Sequence, residues 1–331
     1  MPLMPDFLAL AVLNLTSPMV LFFCLGLVAA FAKSDLAIPE AVAKTLAIYL
    51  MMAIGFKGGV EVSKSGLGGE VVALIAAGAL LATILPAVGY ALLRATSRLS
   101  VANAAAVAAH YGSISIVTFV AATQVLQGAA LSFEGALIAV AAVMEMPAIV
   151  VALVIARRFS PPAERPTSGT GFWREAALNS SVVMLLGSFV IGWVSGEPGL
   201  SAIAPLIVEP FRGILSLFLL DMGLIAGRGL GRSWRDLKLP VVLFGLYMPL
   251  VSAAAGSATA LVLGLDAGSS ALLITLAASA SYIAVPAAMR LALPEAQPSI
   301  YLTLSLGVTF PFNLTVGIPL YIAIAGSIAG P

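Results

Sequence analysis

Apolar and polar positions along the chain form a series of long apolar runs separated by short polar stretches. A membrane-spanning helix needs roughly 20 predominantly apolar residues, so these runs predict ten spans that use up most of the chain. The predicted spans are 17–32, 38–56, 70–94, 100–126, 132–156, 176–195, 206–226, 238–264, 268–290 and 298–328. The predicted fold class is therefore an all-α polytopic membrane protein with no separate soluble domain.

Composition supports this class and excludes several others. The 331 residues are 61% hydrophobic and 9% charged, whereas a soluble domain has about 25% charged residues. The net charge of +1 indicates no nucleic-acid partner, and the single cysteine excludes a disulfide framework or an iron–sulfur cluster. We find no HExxH, phosphate-loop or GxSxG motif, so we predict neither an enzyme nor a cofactor.

The distribution of basic residues predicts the orientation in the membrane. If the N-terminus is external, most lysines and arginines fall on cytoplasmic connections, and only Lys57 and Lys64 lie clearly outside. We therefore predict a protein of the cell (inner or plasma) membrane with both termini external. The connector "RRFSPPAERPTSGTGFWRE" is rich in Pro, Gly, Ser and charge. It predicts a cytoplasmic linker, 158–175, between two halves, 1–157 and 176–331.

The two halves resemble each other weakly in sequence. "GSIS" begins at residue 112 and "ASAS" at residue 278, an offset of 166. Pro147 after "VME" matches Pro311 after "VTF" at an offset of 164. Since each half has five predicted spans, the second copy crosses the membrane in the opposite sense. This pattern indicates an inverted five-plus-five repeat, which is typical of secondary transporters.

Polar clusters interrupt the fourth and ninth spans at matching depth. The fourth contains Gly112, Ser113, Ser115 and Thr118, and the ninth contains "ASASY" followed by a proline. These residues predict interrupted helices, whose freed backbone groups must be satisfied internally or by a solute. Half-helix N-termini favour an anion, while carbonyls and hydroxyls favour a small hard cation. The alternative interpretation is that small residues only allow close helix packing.

Ionisable and polar residues at spanning depth add further candidates. Glu145 lies within the fifth span, where a carboxyl group is a functional hypothesis: it ligates sodium, holds a proton, or is a hydrogen-bonded structural group. At the matching place in the second half, Thr309 and Asn313 offer neutral oxygens to a coupling ion or make ordinary interhelical hydrogen bonds. Thr118 of the fourth span is a further candidate ligand of the coupling ion. We interpret Asp221 as a structural or gate residue that pairs with Lys44 or Arg212.

His110 is the only histidine in the chain and lies in the fourth span. We interpret it as a packing residue rather than a proton relay.

Several segments together resemble one known family. "AHYGSISIVTF", "VMEMPAIV", "EPFRGILSLFLLDMG" and the "IPE" segment are similar to the sodium-dependent bicarbonate transporter family, best known from cyanobacteria, and the similarity covers nearly the whole chain. The resemblance implies a gate domain from spans 1, 2, 6 and 7 and a core domain from spans 3–5 and 8–10. It also implies a homotrimer that moves its substrate by an elevator-like shift of the core.

The resemblance also implies where the ligands bind. In the family, bicarbonate and sodium lie between the interrupted fourth and ninth helices. The matching positions here are Gly112, Ser113, Ser115, Ser279 and Ser281.

This chain departs from the cyanobacterial pattern at several places. Glu145 replaces an aspartate, and Ile116 and Val117 stand where a glycine and a serine are expected. A related or bulkier anion is therefore an open alternative to bicarbonate. The short, basic linker offers little support for the regulatory PII-like protein that binds cyanobacterial members.

The sequence thus predicts a sodium-coupled symporter of a small anion, with bicarbonate as the leading substrate. One alternative is a proton-coupled organic-acid carrier in which Glu145 titrates. Another is a membrane receptor that binds a small anion without moving it.

Overall fold

The structure is a computed structural model that describes residues 12, 15–66, 68–160, 180–233, 237–282 and 284–329. Within these ranges the chain is helical, without strands. The helices are α1 (Pro18–Phe31), α2 (Glu40–Ser65), α3 (Gly69–Thr96), α4 (Val101–Gly112), α5 (Ile116–Gly128), α6 (Ala136–Phe159), α7 (Ser180–Ile207), α8 (Phe211–Ser233), α9 (Leu239–Leu263), α10 (Ala267–Ala278), α11 (Ala284–Ala292) and α12 (Pro298–Ile328). Most of the predicted linker, from residue 161 onward, lies outside the described residues.

Eight helical segments in the described part are long and apolar enough to cross a membrane. They lie in α2, α3, α6, α7, α8, α9 and α12, with α4 and α5 together forming the eighth. Helices α1 and α10 are apolar but shorter. The prediction of an all-helical, multi-pass membrane protein is confirmed, whereas the ten-helix inverted repeat stays a prediction.

One predicted span end is wrong, and another falls at a kink inside a longer helical segment. Helix α2 continues from the predicted end at 56 to Ser65, and Lys64 in its last turn contacts Glu61 at 3.0 Å and Glu197 of α7 at 2.8 Å. The predicted span end at 195 falls at a kink in α7: Gly196 has the non-helical angles φ 58°, ψ −156°, and a second helical stretch follows it to Ile207. Glycine reaches this left-handed region without a Cβ penalty, so the helical path resumes beyond it.

Two helix pairs cross at very short distance, and each pair joins one helix from either half. A Cβ built on Gly26 of α1 would lie 2.1 Å from the Leu220 carbonyl oxygen of α8, and one on Gly223 of α8 would meet α1 equally closely. In the second pair, a Cβ on Gly59 of α2 would clash with the backbone of α7, and a Cβ on Gly192 of α7 would clash with the backbone of α2. Only glycine allows these backbones to approach so closely.

The remaining helices surround a fully buried centre. Helices α3, α4 and α6 pack against one another, as do α9, α10 and α12, and α3 also contacts α9. Residues of α4 and α5 are buried along most of their length, and α10 is buried throughout. The two helix interruptions predicted from the sequence therefore lie inside the molecule.

Candidate functional site

The first interruption lies between α4 and α5 and is built by two serines. Ser113 is the C-cap that directly follows α4, and its N–H donates to the Ala109 carbonyl at 3.2 Å. Ser115 begins α5 and accepts hydrogen bonds from the Thr118 N–H at 3.1 Å and the Thr118 hydroxyl at 2.9 Å. Serine at such an N-cap satisfies an N–H that the helix leaves free.

Gly112, the last residue of α4, has a packing reason to be glycine. A Cβ at this position would lie 2.0 Å from Cγ of Pro86 in α3. Gly112 therefore lets the interruption lie directly against α3.

The second interruption lies between α10 and α11. Helix α10 ends at Ala278, and Ser279 donates its N–H to the Leu276 carbonyl at 3.3 Å. Ser281 faces the start of α11, where its hydroxyl is 3.5 Å from the Val285 N–H. The two interruptions are thus built from serines with similar local roles.

The structure brings the two interruptions into direct contact. The Ser115 N–H donates to Oγ of Ser279 at 2.9 Å, and the Ser281 N–H donates to the His110 carbonyl at 2.8 Å. The Ser279 hydroxyl in turn donates to the Leu276 carbonyl at 2.8 Å. The "GSIS" and "ASAS" motifs, half a chain apart in sequence, therefore form one buried cluster.

A small cavity lies beside this cluster. Its lining consists of Met51, Ile114, Ser115, Ile116, Glu145, Ser281 and Tyr282. The volume that the centre of a water-sized sphere can occupy in this cavity is about 10 Å³. This is about the volume that one water molecule needs. Oε2 of Glu145 is buried and has no hydrogen-bond partner in the described part of the chain. The cavity thus combines an unsatisfied carboxylate oxygen with two serines.

Thr309 and Asn313 in α12 do not line this cavity. The Thr309 hydroxyl donates to the Gly245 carbonyl at 2.7 Å and is also hydrogen-bonded to the Tyr111 hydroxyl. The Asn313 amide donates to the Ala278 carbonyl at 2.9 Å. Both side chains already bond other helices, so their predicted role toward a coupling ion stays a prediction.

Asn313 is itself fixed from behind. Its amide oxygen accepts a hydrogen bond from the Tyr321 hydroxyl at 2.7 Å, and Ala278, Asn313 and Tyr321, which this series of hydrogen bonds joins, are all buried. Helix α12 takes π-helical geometry over Ser305–Thr309 and Asn313–Gly317. Such turns occur often at functional sites, and here they flank the proline that matches Pro147 of the first half.

Comparison with known proteins decides the family. The sequence model of the Na+-dependent bicarbonate transporter superfamily matches residues 18–326. The chain belongs to this superfamily. A comparison with curated proteins gives no match. Membership supports a transporter rather than an enzyme, and a family that depends on Na+ supports sodium as the coupling ion.

In this superfamily member, His110 packs inside the molecule, but its Nε2 has no hydrogen-bond partner in the described residues, so it is not the fully satisfied packing histidine that the sequence predicts. Its Nδ1 is 2.6 Å from the Ala106 carbonyl, and its ring lies 4.6 Å from the ring of Tyr301. The side chain is fully buried. The contribution of His110 to the site is its backbone carbonyl, which receives the Ser281 N–H.

The predicted pairing of Asp221 with Lys44 or Arg212 is wrong. The ion pairs seen between described residues join Lys64 to Glu61 and to Glu197, and Nε of Arg212 donates to Oε1 of Gln124 at 2.6 Å. Asp221 is buried in α8, and its Oδ2 has no hydrogen-bond partner in the described ranges.

The connection between α5 and α6 meets the start of α10 on the side of the molecule where α5 ends. The Glu134 N–H donates to Oγ of Ser269 at 2.9 Å, and Asp266 caps α10 by accepting from the Ser269 N–H at 2.7 Å. Burial, followed by the nearby charges of Asp266 and Glu70, raises the pKa of the Glu134 carboxyl above its ordinary value.

Sequence reasoning did not assign three of the cavity residues to the site: Met51, Ile114 and Tyr282. Tyr282 directly follows "ASAS", and its position beside the second interruption was an available signal. Met51 of α2 carried none, because nothing in its local sequence separates it from the other methionines. Only the packing of α2 against the interruptions places it there.

Proposed function

We propose that the protein is a sodium-coupled symporter of a small anion, with bicarbonate as the leading substrate. The observation that carries the proposal is the direct contact of two buried helix interruptions beside a carboxylate-lined cavity. Membership in the Na+-dependent bicarbonate transporter superfamily supports both ligands. The membrane is the cell (inner or plasma) membrane, with both termini external.

The anion binds where α5 and α11 begin. Free N–H groups and the positive end of the helix dipole favour an anion at such a point. The Ser115 N–H donates to Oγ of Ser279. An anion that enters the cluster therefore replaces this hydroxyl oxygen as the acceptor of the Ser115 N–H. The Ser113 hydroxyl is buried and has no partner in the described chain, which leaves it free to donate. Gly112 contributes backbone at the same turn.

Sodium binds in the cavity between Glu145, Ser115 and Ser281. A hard cation prefers oxygen ligands, and carboxylates, hydroxyls and carbonyls supply them. The unsatisfied Oε2 of Glu145 fits this role, and the cavity has room for one occupant of water size. Thr118 supports the site through its two hydrogen bonds to Ser115. Thr309 and Asn313 fix α12 behind it.

Sodium and the anion stabilise each other because opposite charges lie close together in a buried site. The coupling is reciprocal: if sodium raises the affinity for the anion, the anion raises the affinity for sodium by the same factor. An inward sodium gradient then drives uptake of the anion.

Alternating access follows from a shift of the core (α3–α6 and α9–α12) against a gate (α1, α2, α7 and α8). The close glycine crossings of α1 with α8 and of α2 with α7 support the gate as one unit. Gly26 and Gly192 are 166 residues apart, and Gly59 and Gly223 are 164 apart. These offsets match those of the serine motifs and of the prolines, and they support the inverted repeat. A homotrimer and a PII-like regulator remain proposals from the family resemblance.

Ile116 lines the cavity beside Ser115 and bears on which anion is carried. An apolar side chain there removes hydrogen-bonding capacity from the site. A larger carboxylate with an apolar part is therefore the competing substrate.

A second function, proton-coupled transport of an organic acid, is favoured by one observation. Glu145 is 5% exposed, its Oε2 is unsatisfied in the described chain, and no basic side chain lines its cavity. Such a carboxyl can carry a proton instead of ligating sodium. A third hypothesis is a membrane receptor that binds a small anion without transporting it.

Uptake of radiolabelled bicarbonate into proteoliposomes, with sodium or with choline at one fixed pH, separates these functions. Sodium coupling predicts uptake only with sodium, and unlabelled carboxylates that compete identify related substrates. Uptake that follows an imposed pH gradient and ignores sodium supports the organic-acid carrier. Saturable binding without flux supports the receptor.

A further inference from the structure

A second cavity, of about 490 Å³, lies away from the helix interruptions. It is formed where the α3–α4 connection meets the beginnings of α9 and α12. Its polar lining includes Thr96, Ser97, Arg98 and Lys238. The predicted orientation places this cavity at the cytoplasmic face, and the transported ligands play no part in it.

The cavity is positively charged. Arg98 and Lys238 are exposed, and neither forms an ion pair or side-chain hydrogen bond within the described ranges. None of the lining residues is acidic. Lys238 is also the N-cap of α9, where no side chain caps the helix. The positive end of this 25-residue helix adds to the two side-chain charges.

The hydroxyl groups and the backbone shape the cavity. Arg94 donates to the Leu99 carbonyl at 2.6 Å and the Leu99 N–H donates to Oγ of Ser97 at 3.4 Å, so the α3–α4 connection is held in a compact turn. Thr96 is hydrogen-bonded to the Tyr247 hydroxyl at 3.2 Å, which ties the end of α3 to α9. Arg98 lines the cavity from this connection, and Lys238 lines it from the start of α9.

The other walls are apolar. Leu99, Leu237, Val241 and Ile300 line the cavity beside the basic side chains. On α9, the neighbouring Leu239 is 69% exposed and faces away from the protein interior. The cavity therefore offers charge to a head group and apolar surface to the chains attached to it.

We propose that this cavity binds a phosphate group between Arg98 and Lys238. Arginine matches phosphate oxygens in bidentate geometry, and lysine adds a point charge. Basic pockets between membrane helices on the cytoplasmic side bind anionic lipid head groups. The apolar walls make an anionic phospholipid the source we expect, and a soluble phosphate ester is the second source of the same chemistry.

Native mass spectrometry of the purified full-length protein tests this site. The protein is titrated with phosphatidylglycerol, with diacylglycerol of the same chain length, and with glycerol 1-phosphate. The Arg98→Gln/Lys238→Gln variant is compared with Arg158→Gln, which removes a basic charge that does not line the cavity. The substituted side chains are exposed, and a monodisperse chromatographic profile verifies that each variant is folded.

We expect phosphatidylglycerol to bind and diacylglycerol not to bind. At roughly fivefold for each basic residue near a membrane surface, the double variant binds about 30-fold more weakly, while Arg158→Gln matches the wild type. If glycerol 1-phosphate competes with phosphatidylglycerol, the phosphate ester alone is sufficient for binding. If it does not compete, the lipid is the source of the phosphate group. Equal binding of diacylglycerol, unchanged affinity in the double variant, or no binding of either phosphate compound overturns the proposal. None of these outcomes depends on which anion is transported.

Discussion

The two serines Ser113 and Ser279 occupy related positions but should respond differently to alanine. Oγ of Ser279 accepts from the buried Ser115 N–H at 2.9 Å and donates to the Leu276 carbonyl at 2.8 Å. Ser279→Ala therefore leaves a buried N–H and a carbonyl without this partner, at a cost of about 1–3 kcal/mol. The Ser113 hydroxyl has no partner in the described chain, so Ser113→Ala loses no internal hydrogen bond.

Both variants should impair anion uptake, and only one should impair stability. We expect Ser279→Ala to lower the free energy of unfolding by about 1–3 kcal/mol and Ser113→Ala to change it by less than about 0.5 kcal/mol. An unfolding titration in mixed micelles measures stability, and sodium-driven uptake in proteoliposomes measures function. Ser257→Ala, which removes a hydroxyl bonded within its own helix at 2.8 Å, is the matched control and should preserve uptake.

Two outcomes would refute this reasoning. Wild-type uptake by both Ser113→Ala and Ser279→Ala would remove the serine cluster from the binding site. Equal destabilisation by the two variants would show that the Ser279 hydrogen bonds are not what joins the interruptions.

Three further predictions concern the surroundings of the site. Gly112→Ala forces a Cβ to within 2.0 Å of Cγ of Pro86, so we expect a loss of about 1–3 kcal/mol in the same unfolding titration and partial recovery with Pro86→Ala. Tyr321→Phe removes the donor to Asn313 and should cost about 1 kcal/mol, with uptake reduced because α12 is less well fixed; unchanged stability would count against this chain of hydrogen bonds. The pKa of Glu134 is raised above 4.5, so the folded state binds a proton more tightly than the unfolded state, and stability falls as pH rises from 4.5 through the raised value. Glu134→Gln should flatten that fall in a series of unfolding measurements across pH, and an unchanged pH profile would contradict it.

The sequence predicted the two interruptions because small and polar residues stand where long apolar helices need apolar ones. It also predicted that they are related, since "GSIS" and "ASAS" recur at a nearly constant offset. Their direct contact through Ser115 and Ser279 depends on the packing of distant helices, and a single sequence carries no measure of the distance between them.

The helix boundaries and ion pairs were harder to predict for different physical reasons. The predicted end of the sixth span at 195 coincides with the kink at Gly196, but a second helical stretch follows the kink to Ile207, and local sequence patterns do not indicate that stretch. Charge alone predicts that Asp221 pairs with Lys44 or Arg212, whereas Arg212 is hydrogen-bonded to the neutral side chain of Gln124. Hydrogen-bond partners of buried groups depend on orientation across helices, which composition and spacing do not record.

The central claim is that a sodium gradient drives an anion through the site formed by the two interruptions. The most direct measurement is accumulation of labelled bicarbonate in proteoliposomes with equal bicarbonate on both sides and sodium only outside. Alkaline pH limits the conversion of bicarbonate to permeant CO₂, and protein-free liposomes correct for leakage. We predict accumulation above the external concentration that collapses when a sodium ionophore is added. Equal concentrations on both sides throughout, or accumulation that survives the ionophore, would contradict sodium-coupled symport of bicarbonate.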